Sequence, residues 1–337
     1  MRWRNGHDLL QSMSRFAVLL LALACSIVLA PPADASEGPP LRVPPDRLAA
    51  ALGCSPGVAD AGRDPVLLVP GTTLTPREFS WNYVPALRAQ GVPYCTVTLP
   101  DNGMADIQVA AEYVVHAIRT VHAASGRAVD IVGHSQGGMV PRWALKYWPD
   151  TRSMVDDLVG LAPSNHGTIV ANTICPPGCA PSFWQQRRNS AFLRALNSGP
   201  ETWQGIDYTV VYTRLDEVVA PNWDERGSSS LRTGAGTISN IAVQDLCPLR
   251  PAEHLAVGTY DAVSYALAAD ALNHDGPADQ ARVGRDVCAR QLMPYVDPVR
   301  FPANEARLAT TAATQLALYP RVPAEPPLAP YAGADAR

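Results

Sequence analysis

The residues that could do chemistry centre on Gly133-His134-Ser135-Gln136-Gly137, a Gly-x-Ser-x-Gly pattern. A run of Val and Ile over 129–132 precedes it. After it, Met139, Trp143, Ala144 and Tyr147 fall at helical spacing. Strand, tight turn and helix with a serine at the apex would lift the hydroxyl above the C-terminal edge of a parallel sheet. Strand and helix approach so closely at such a turn that a side chain two residues either side of the serine would collide. Gly133 and Gly137 occupy those two positions. The pattern alone arises easily by chance; its place between a β-run and a helix gives it weight.

A serine hydroxyl is a weak nucleophile at neutral pH. It needs a base to take its proton and a carboxylate to orient that base. In this arrangement the chain order is serine, acid, histidine. Both partners must lie just past the ends of later strands. Asp216 follows the β-run 208–213 and meets that condition, with Glu217 and Asp224 as runners-up. Asp156, Asp157 and Asp207 stand at strand starts, on the opposite edge, and read as solvated caps. Asp130 precedes the serine and is excluded by order. Only His254 and His274 follow Asp216. His254 comes shortly after a strand and opens a helix, so it is the expected base, whereas His274 falls towards the far edge. His134 leaves the turn in another direction from Ser135, His166 sits in an irregular stretch, and His116 and His122 belong to a long helix. Donors for a tetrahedral oxyanion are expected from the backbone N–H of Gln136 and from the loop Gly71-Thr72-Thr73. Together these parts specify acyl transfer through a covalent acyl-enzyme.

The elements that must position them alternate. Strands are expected at 65–70, 94–99, 129–134, 155–161, 208–213 and 238–243, and helices at 79–90, 104–122, 139–147, 185–197 and 255–272. That alternation gives an α/β fold with a mostly parallel sheet flanked by helices. Residues 164–184 show no single period and read as an irregular excursion over one face. Net charge is −4 with 17% charged residues and no basic run, which excludes nucleic acid as a partner. Arg2, Arg4 and Arg15, the apolar stretch 16–30 and Ala33-Asp34-Ala35 read as a secretory signal peptide over 1–35, cleaved near Ala35. A secreted, extracellular protein follows, with no later stretch able to span a bilayer. The domain plan is the signal, a Pro-rich linker over 36–46, a catalytic domain over 47–319 and a Pro- and Ala-rich tail over 320–337.

Six of the seven cysteines lie beyond the signal, an even number that implies disulfides in an exported chain. Proximity favours Cys54–Cys95, Cys175–Cys179 and Cys247–Cys288. The two longer loops could each contribute about 4 kcal/mol in the chain-entropy picture. Cys175 and Cys179 lack a second ligand pair, so no metal is expected.

Leu67-Leu68-Val69-Pro70-Gly71-Thr72, Ser135-Gln136-Gly137-Gly138, Ser182-Phe183-Trp184-Gln185-Gln186, Asp216-Glu217-Val218-Val219 and Leu292-Met293-Pro294-Tyr295 occur in this order. In these stretches the chain resembles the Candida antarctica lipase B-like lipases of the α/β-hydrolase superfamily, from about residue 54 to about residue 298. The resemblance implies Ser135, Asp216 and His254 as the triad, Thr72 and Gln136 as the oxyanion hole, bridges Cys54–Cys95 and Cys247–Cys288, and Gln186 in the acyl-side pocket. It implies no cofactor. His134 replaces the tryptophan that the family has before the serine, which alters the alcohol-side pocket. The Cys175–Cys179 pair lies in the segment that covers the family's entrance, and the C-terminal region lacks the family's further cysteine pair.

The leading reading is a secreted, monomeric serine esterase or triacylglycerol lipase, taking ester or lipid substrates and meeting a lipid–water interface. An acyltransferase or polyester hydrolase with the same triad is the enzymatic alternative. A binding protein on a retired hydrolase scaffold is the other, and it would be favoured by a missing triad member; none is missing.

Overall fold

A computed structural model describes residues 37–333; the expected signal peptide and its cleavage site, like residues 334–337, lie outside the described residues. Seven strands form one sheet: β1 (Leu52–Cys54), β2 (Val66–Val69), β3 (Tyr94–Val97), β4 (Val129–His134), β5 (Val155–Leu161), β6 (Asp207–Tyr212) and β7 (Thr237–Ala242). Their order is β1-β3-β2-β4-β5-β6-β7. All neighbours are parallel except β1, which runs antiparallel to β3 and is joined to it by Cys54–Cys95. Every residue of β2 and β4 is buried, as expected of strands covered on both faces.

Alternation divides the core. Leu67, Val69 and Ile131 pack on one side with α3 (Ile107–Ser125) and α4 (Gln136–Tyr147) of the helices that follow their strands. Val66, Leu68 and Val132 pack on the other with α2 (Tyr83–Ala89), which follows β2; α1 (Pro45–Ala51) precedes β1. The excursion expected over 164–184 contains two short helices, α5 (Ile169–Ile174) and α6 (Pro181–Gln185), on either side of the bridge Cys175–Cys179. The helix expected over 185–197 is shorter, α7 (Ala191–Leu196), because Ser190 Oγ accepts from Leu193 N (3.0 Å) and starts the helix there.

After α8 (Val243–Leu246), the helix expected over 255–272 is two: α9 (His254–Thr259) and α10 (Ala262–Ala271). Asp261 breaks it. Its carboxylate accepts from Ser264 N (2.7 Å) and caps α10, while Arg250 grips its other oxygen. Cys247–Cys288 closes the loops on this side. A final helix, α11 (Phe301–Leu318), has no counterpart in the sequence reading; its Ala- and Thr-rich surface buries only Leu308.

Two other readings change with the structure, and the tail, expected to hug the surface or be disordered, takes the first course. The expected linker is docked: Arg42 N and Val43 N donate to Glu112 Oε2 of α3 (2.5 and 2.8 Å), and Trp148 Nε1 donates to Pro39 O (2.7 Å). The tail also lies along the body. Glu325 accepts from Ala191 N and Phe192 N (2.9 and 2.8 Å), and Trp143 Nε1 donates to Tyr331 Oη (3.2 Å). Lastly, Asp157 is no solvated cap: it is 5% exposed, and Asp130 is 4% exposed.

Tyr331 sits against Trp143, Tyr147 and Trp148 with ring centroids 6.4, 5.1 and 5.4 Å away. Tyr331→Ala is expected to lower stability by about 2–3 kcal/mol in urea unfolding, the scale of an aromatic side chain lost from a packed cluster. An unchanged midpoint would mean that the tail contributes no packing energy.

Candidate active site

Ser135 joins β4 to α4 with φ 55° and ψ −123°, a conformation that side-chain-bearing residues seldom adopt. The surrounding backbone enforces it. A Cβ on Gly133 would stand 2.1 Å from Gly137 O, and one on Gly137 would stand 2.2 Å from Val69 O. Strand, helix and the neighbouring β2 therefore meet with no room for a methyl group. Gln136 opens α4, so its backbone N–H is one of the helix's free N-terminal donors.

Asp216 follows β6 and His254 opens α9, both at the same sheet edge as Ser135. Asp216 Oδ1 accepts from Val218 N (3.0 Å) and Val219 N (2.6 Å), which holds Oδ2 against His254 Nδ1 at 3.0 Å. Of the runners-up, Glu217 reaches only the His254 backbone N–H (3.2 Å), and Asp224 is exposed and accepts from Arg226 N. Burial disfavours charge on His254. The Asp216 carboxylate, with Glu217 and Glu253 nearby, outweighs that and raises its pKa above the ordinary 6.5. Ser135 Oγ makes no hydrogen bond to His254 among the described residues; such contacts often tighten only with substrate in place. His274 is far from this edge, beside Asp270, and His166 pairs with Glu201 at 3.6 Å.

Thr72 lies opposite Gln136. Its Oγ1 accepts from Gln136 Nε2 and from Gln186 Nε2, each at 3.1 Å. Both amides are orientated by second contacts: Gln136 Nε2 also donates to Gly103 O (2.9 Å), and Gln186 Oε1 accepts from Ser164 Oγ (2.9 Å). Two amide donors use both lone pairs of the Thr72 oxygen, so its own proton is left to point elsewhere.

His134 is 1% exposed and its ring lies 4.9 Å from that of His254. Its Nδ1 donates to Glu78 Oε1, and its Nε2 faces His254 O at 3.3 Å. Both ring nitrogens thus face oxygen atoms. Glu78, wholly buried, uses its second oxygen to accept from Gly71 N (3.0 Å). One carboxylate therefore ties the Thr72 loop to the residue before Ser135. Gly258 is required beneath it, since a Cβ there would lie 2.2 Å from the His134 ring.

These groups open on a cavity of about 410 Å³. Ser135, His134, His254, Thr72 and Gln186 line its floor. Leu74, Val170, Ile174, Val219, Leu308, Ala312 and Leu316 make its walls apolar. The sequence reading missed Glu78 and the α11 wall. For α11 a signal existed, since Leu308, Ala312 and Leu316 are spaced by four. For Glu78 there was none, because a lone acid in a loop carries no spacing.

Glu78→Ala would leave the His134 ring buried without its carboxylate and Gly71 N–H without an acceptor. It is expected to cost about 3–5 kcal/mol in denaturant unfolding, the scale of a buried pair that loses one partner. A loss below about 1 kcal/mol would show the pair to be solvated instead.

A family model described as Lipase (class 2) matches residues 63–240. The chain is 32% identical over 330 residues to lipase B of Pseudozyma antarctica, covering 96% of this chain and 95% of that protein. The crystal structure of Aspergillus fumigatus lipase B superposes with a TM-score of 0.80 at 33% identity, covering 92% of this chain and 75% of that one. With a family model spanning more than half of its length and about a third of its residues shared with lipase B over nearly all of it, this chain belongs to the class 2 lipases and is a carboxylic ester hydrolase of the α/β-hydrolase fold.

Proposed function

We propose that the protein is an exported, monomeric acylglycerol hydrolase working through an acyl-enzyme on Ser135. One observation carries this reading: the Asp216–His254 pair closes the floor of the apolar cavity that also holds Ser135. His254 Nε2 takes the Ser135 proton as Oγ attacks the ester carbonyl carbon. The negative charge moves to the carbonyl oxygen, where the N–H groups of Thr72 and Gln136 and the Thr72 hydroxyl receive it. Collapse breaks the bond to the alcohol oxygen, and His254 returns the proton to that leaving group. Water then repeats the sequence on the acyl-enzyme and releases the acid. Asp216 holds the imidazole in the tautomer with the free Nε2 and steadies the imidazolium between the two proton transfers.

The entrance supports long apolar acyl chains. Ile174, Val218 and Leu316 line the cavity and are also 42%, 38% and 45% exposed, so the apolar wall continues to the outer surface. A rim of this kind suits a lipid–water interface. The rim is also tethered. Cys175–Cys179 follows α5 directly, and Cys179 and Val322 exchange backbone hydrogen bonds of 3.3 and 2.8 Å. Export is supported by the signal-like segment over 1–35 and by three disulfides in the folded body. No helix among the described residues is long and apolar enough to cross a membrane.

Emulsified long-chain triacylglycerols and dissolved short-chain esters should both be hydrolysed. Because the rim is tethered, the rate should rise without a jump at the solubility limit. Ser135→Ala should lose about 10⁴-fold or more of kcat while keeping its unfolding midpoint. Turnover confined to dissolved esters would remove the lipase reading, and full turnover in Ser135→Ala would remove the mechanism.

The acid limb of kcat/KM reports the neutral fraction of His254. A raised pKa keeps the ring protonated to higher pH, so activity should fall as pH drops through a midpoint above the ordinary 6.5. Asp216→Asn should reduce kcat by about 10⁴-fold. A limb centred below 6.5 in the wild type would show that burial, not Asp216, dominates the ring.

A further inference from the structure

The opposite edge of the sheet holds a second polar cluster that the hydrolase reading does not use. Asp130 is the second residue of β4. In the β4–β5 ladder Val129 pairs with Val155, but the next pair is Ile131 with Leu158. Two residues of β5, Asp156 and Asp157, therefore oppose the one residue Asp130. This is a β-bulge, a feature that re-aims side chains at functional edges. Asp64, just before β2, completes the group. Carboxylate oxygens of Asp64, Asp130 and Asp156 all lie within 4.8 Å of one another.

The charges here are not compensated. Asp130 and Asp157 are 4% and 5% exposed, and the Oδ1 atom of each has no hydrogen-bond partner among the described residues. Both line, with Asp64 and Asp156, an open cavity of about 700 Å³. Of the cations on its rim, only Arg127 pairs with a member of the cluster. Arg127 Nε bonds Asp64 (2.7 Å), Arg63 donates to Asn273 Oδ1 and Leu272 O (3.1 and 2.7 Å), and Arg282 pairs with Asp270 (2.7 Å). His274 is likewise beside Asp270. No ion pair reaches Asp130, Asp156 or Asp157 among the described residues. Carboxylates thus outnumber the guanidiniums at this edge.

We propose that Asp64, Asp130 and Asp156 bind one calcium ion at the bulge, with Asp157 supplying charge beside it. The donors are all hard oxygens, which selects a hard cation over zinc or copper. Two oxygens on one calcium can stand up to about 5 Å apart, so carboxylates at this spacing can meet on a single ion. Magnesium usually takes only one or two protein carboxylates and keeps its waters, and this cluster offers more. A divalent ion would offset the excess of carboxylates. It would also clamp the starts of β2, β4 and β5, the strands beneath the serine turn. The sequence reading weighed metal ligands only among the cysteines and took Asp156 and Asp157 as solvated caps.

The test uses full-length protein stripped with EDTA, dialysed, and titrated with CaCl₂ at constant ionic strength. Isothermal titration calorimetry should give one calcium per chain. Thermal unfolding should shift upward by several degrees at saturating calcium, as expected for a ligand that binds only the folded state. Asp156 is exposed, so Asp156→Asn should fold normally, bind calcium at least tenfold more weakly and lose the shift. Asp130→Asn removes the central ligand, so it should show no calcium response. Absence of binding at millimolar calcium would overturn the proposal and leave shared protons as the means by which the cluster is neutralised. An equal shift with MgCl₂, or a calcium shift that survives in Asp156→Asn, would overturn it as well.

Discussion

The structure depends on one steric constraint, the contact of three backbones around Ser135. β4 enters the turn, α4 leaves it, and β2 passes alongside so closely that the positions of Gly133 and Gly137 accept no side chain. This closeness forces the serine into its positive-φ conformation and raises its hydroxyl above the sheet edge. It also delivers the first backbone donor of α4 to the same point. The serine hydroxyl and this backbone donor are thus placed by one turn rather than by separate devices.

The rest of the site is arranged from elements that end at that edge. β6 brings Asp216 and the loop after β7 brings His254, and the Val218 and Val219 N–H groups fix the carboxylate that faces the imidazole. A second acid–histidine pair, Glu78 and His134, lies directly beneath. It links the Thr72 loop to the residue before the serine. Here the buried charge is accompanied by acceptors for both ring nitrogens and a donor for the second carboxylate oxygen, the condition under which a buried pair can be held. The two sheet edges therefore differ. At the C-terminal edge the buried polar groups of the His134 and Asp216 networks are matched to partners. At the N-terminal edge Asp130 and Asp157 are not.

The covering layer has its own logic. α5 and α11 supply apolar walls to the cavity, yet neither is held by a deep core of its own. α5 is stapled by Cys175–Cys179 and by the backbone pairing of Cys179 with Val322. The tail that provides Val322 then continues to Glu325, Ala329 and Tyr331, each docked on the helices of the main body. Entrance and tail are one mechanical unit, anchored where Tyr331 meets Trp143.

Much of this was legible in the residues. Strands with Val- and Ile-rich runs are buried on both faces and show themselves by composition, so six of the seven strands were placed within a residue or two of their ends. Ser135, Asp216 and His254 could be chosen because chain order and strand ends restrict where partners of an elbow serine can stand. The sequence by itself thus determined the α/β architecture, the elbow and the identity of the residues that meet there. Tertiary structure alone decided the rest. The break at Asp261 depends on Arg250, eleven positions earlier, and the pairing of Glu78 with His134 spans 56. Whether Asp130 and Asp157 are solvated or buried turns on a one-residue bulge between strands. Side-chain periodicity records only which face of an element is buried; it carries no information about which distant polar group waits there, because that is set by how the elements are brought together.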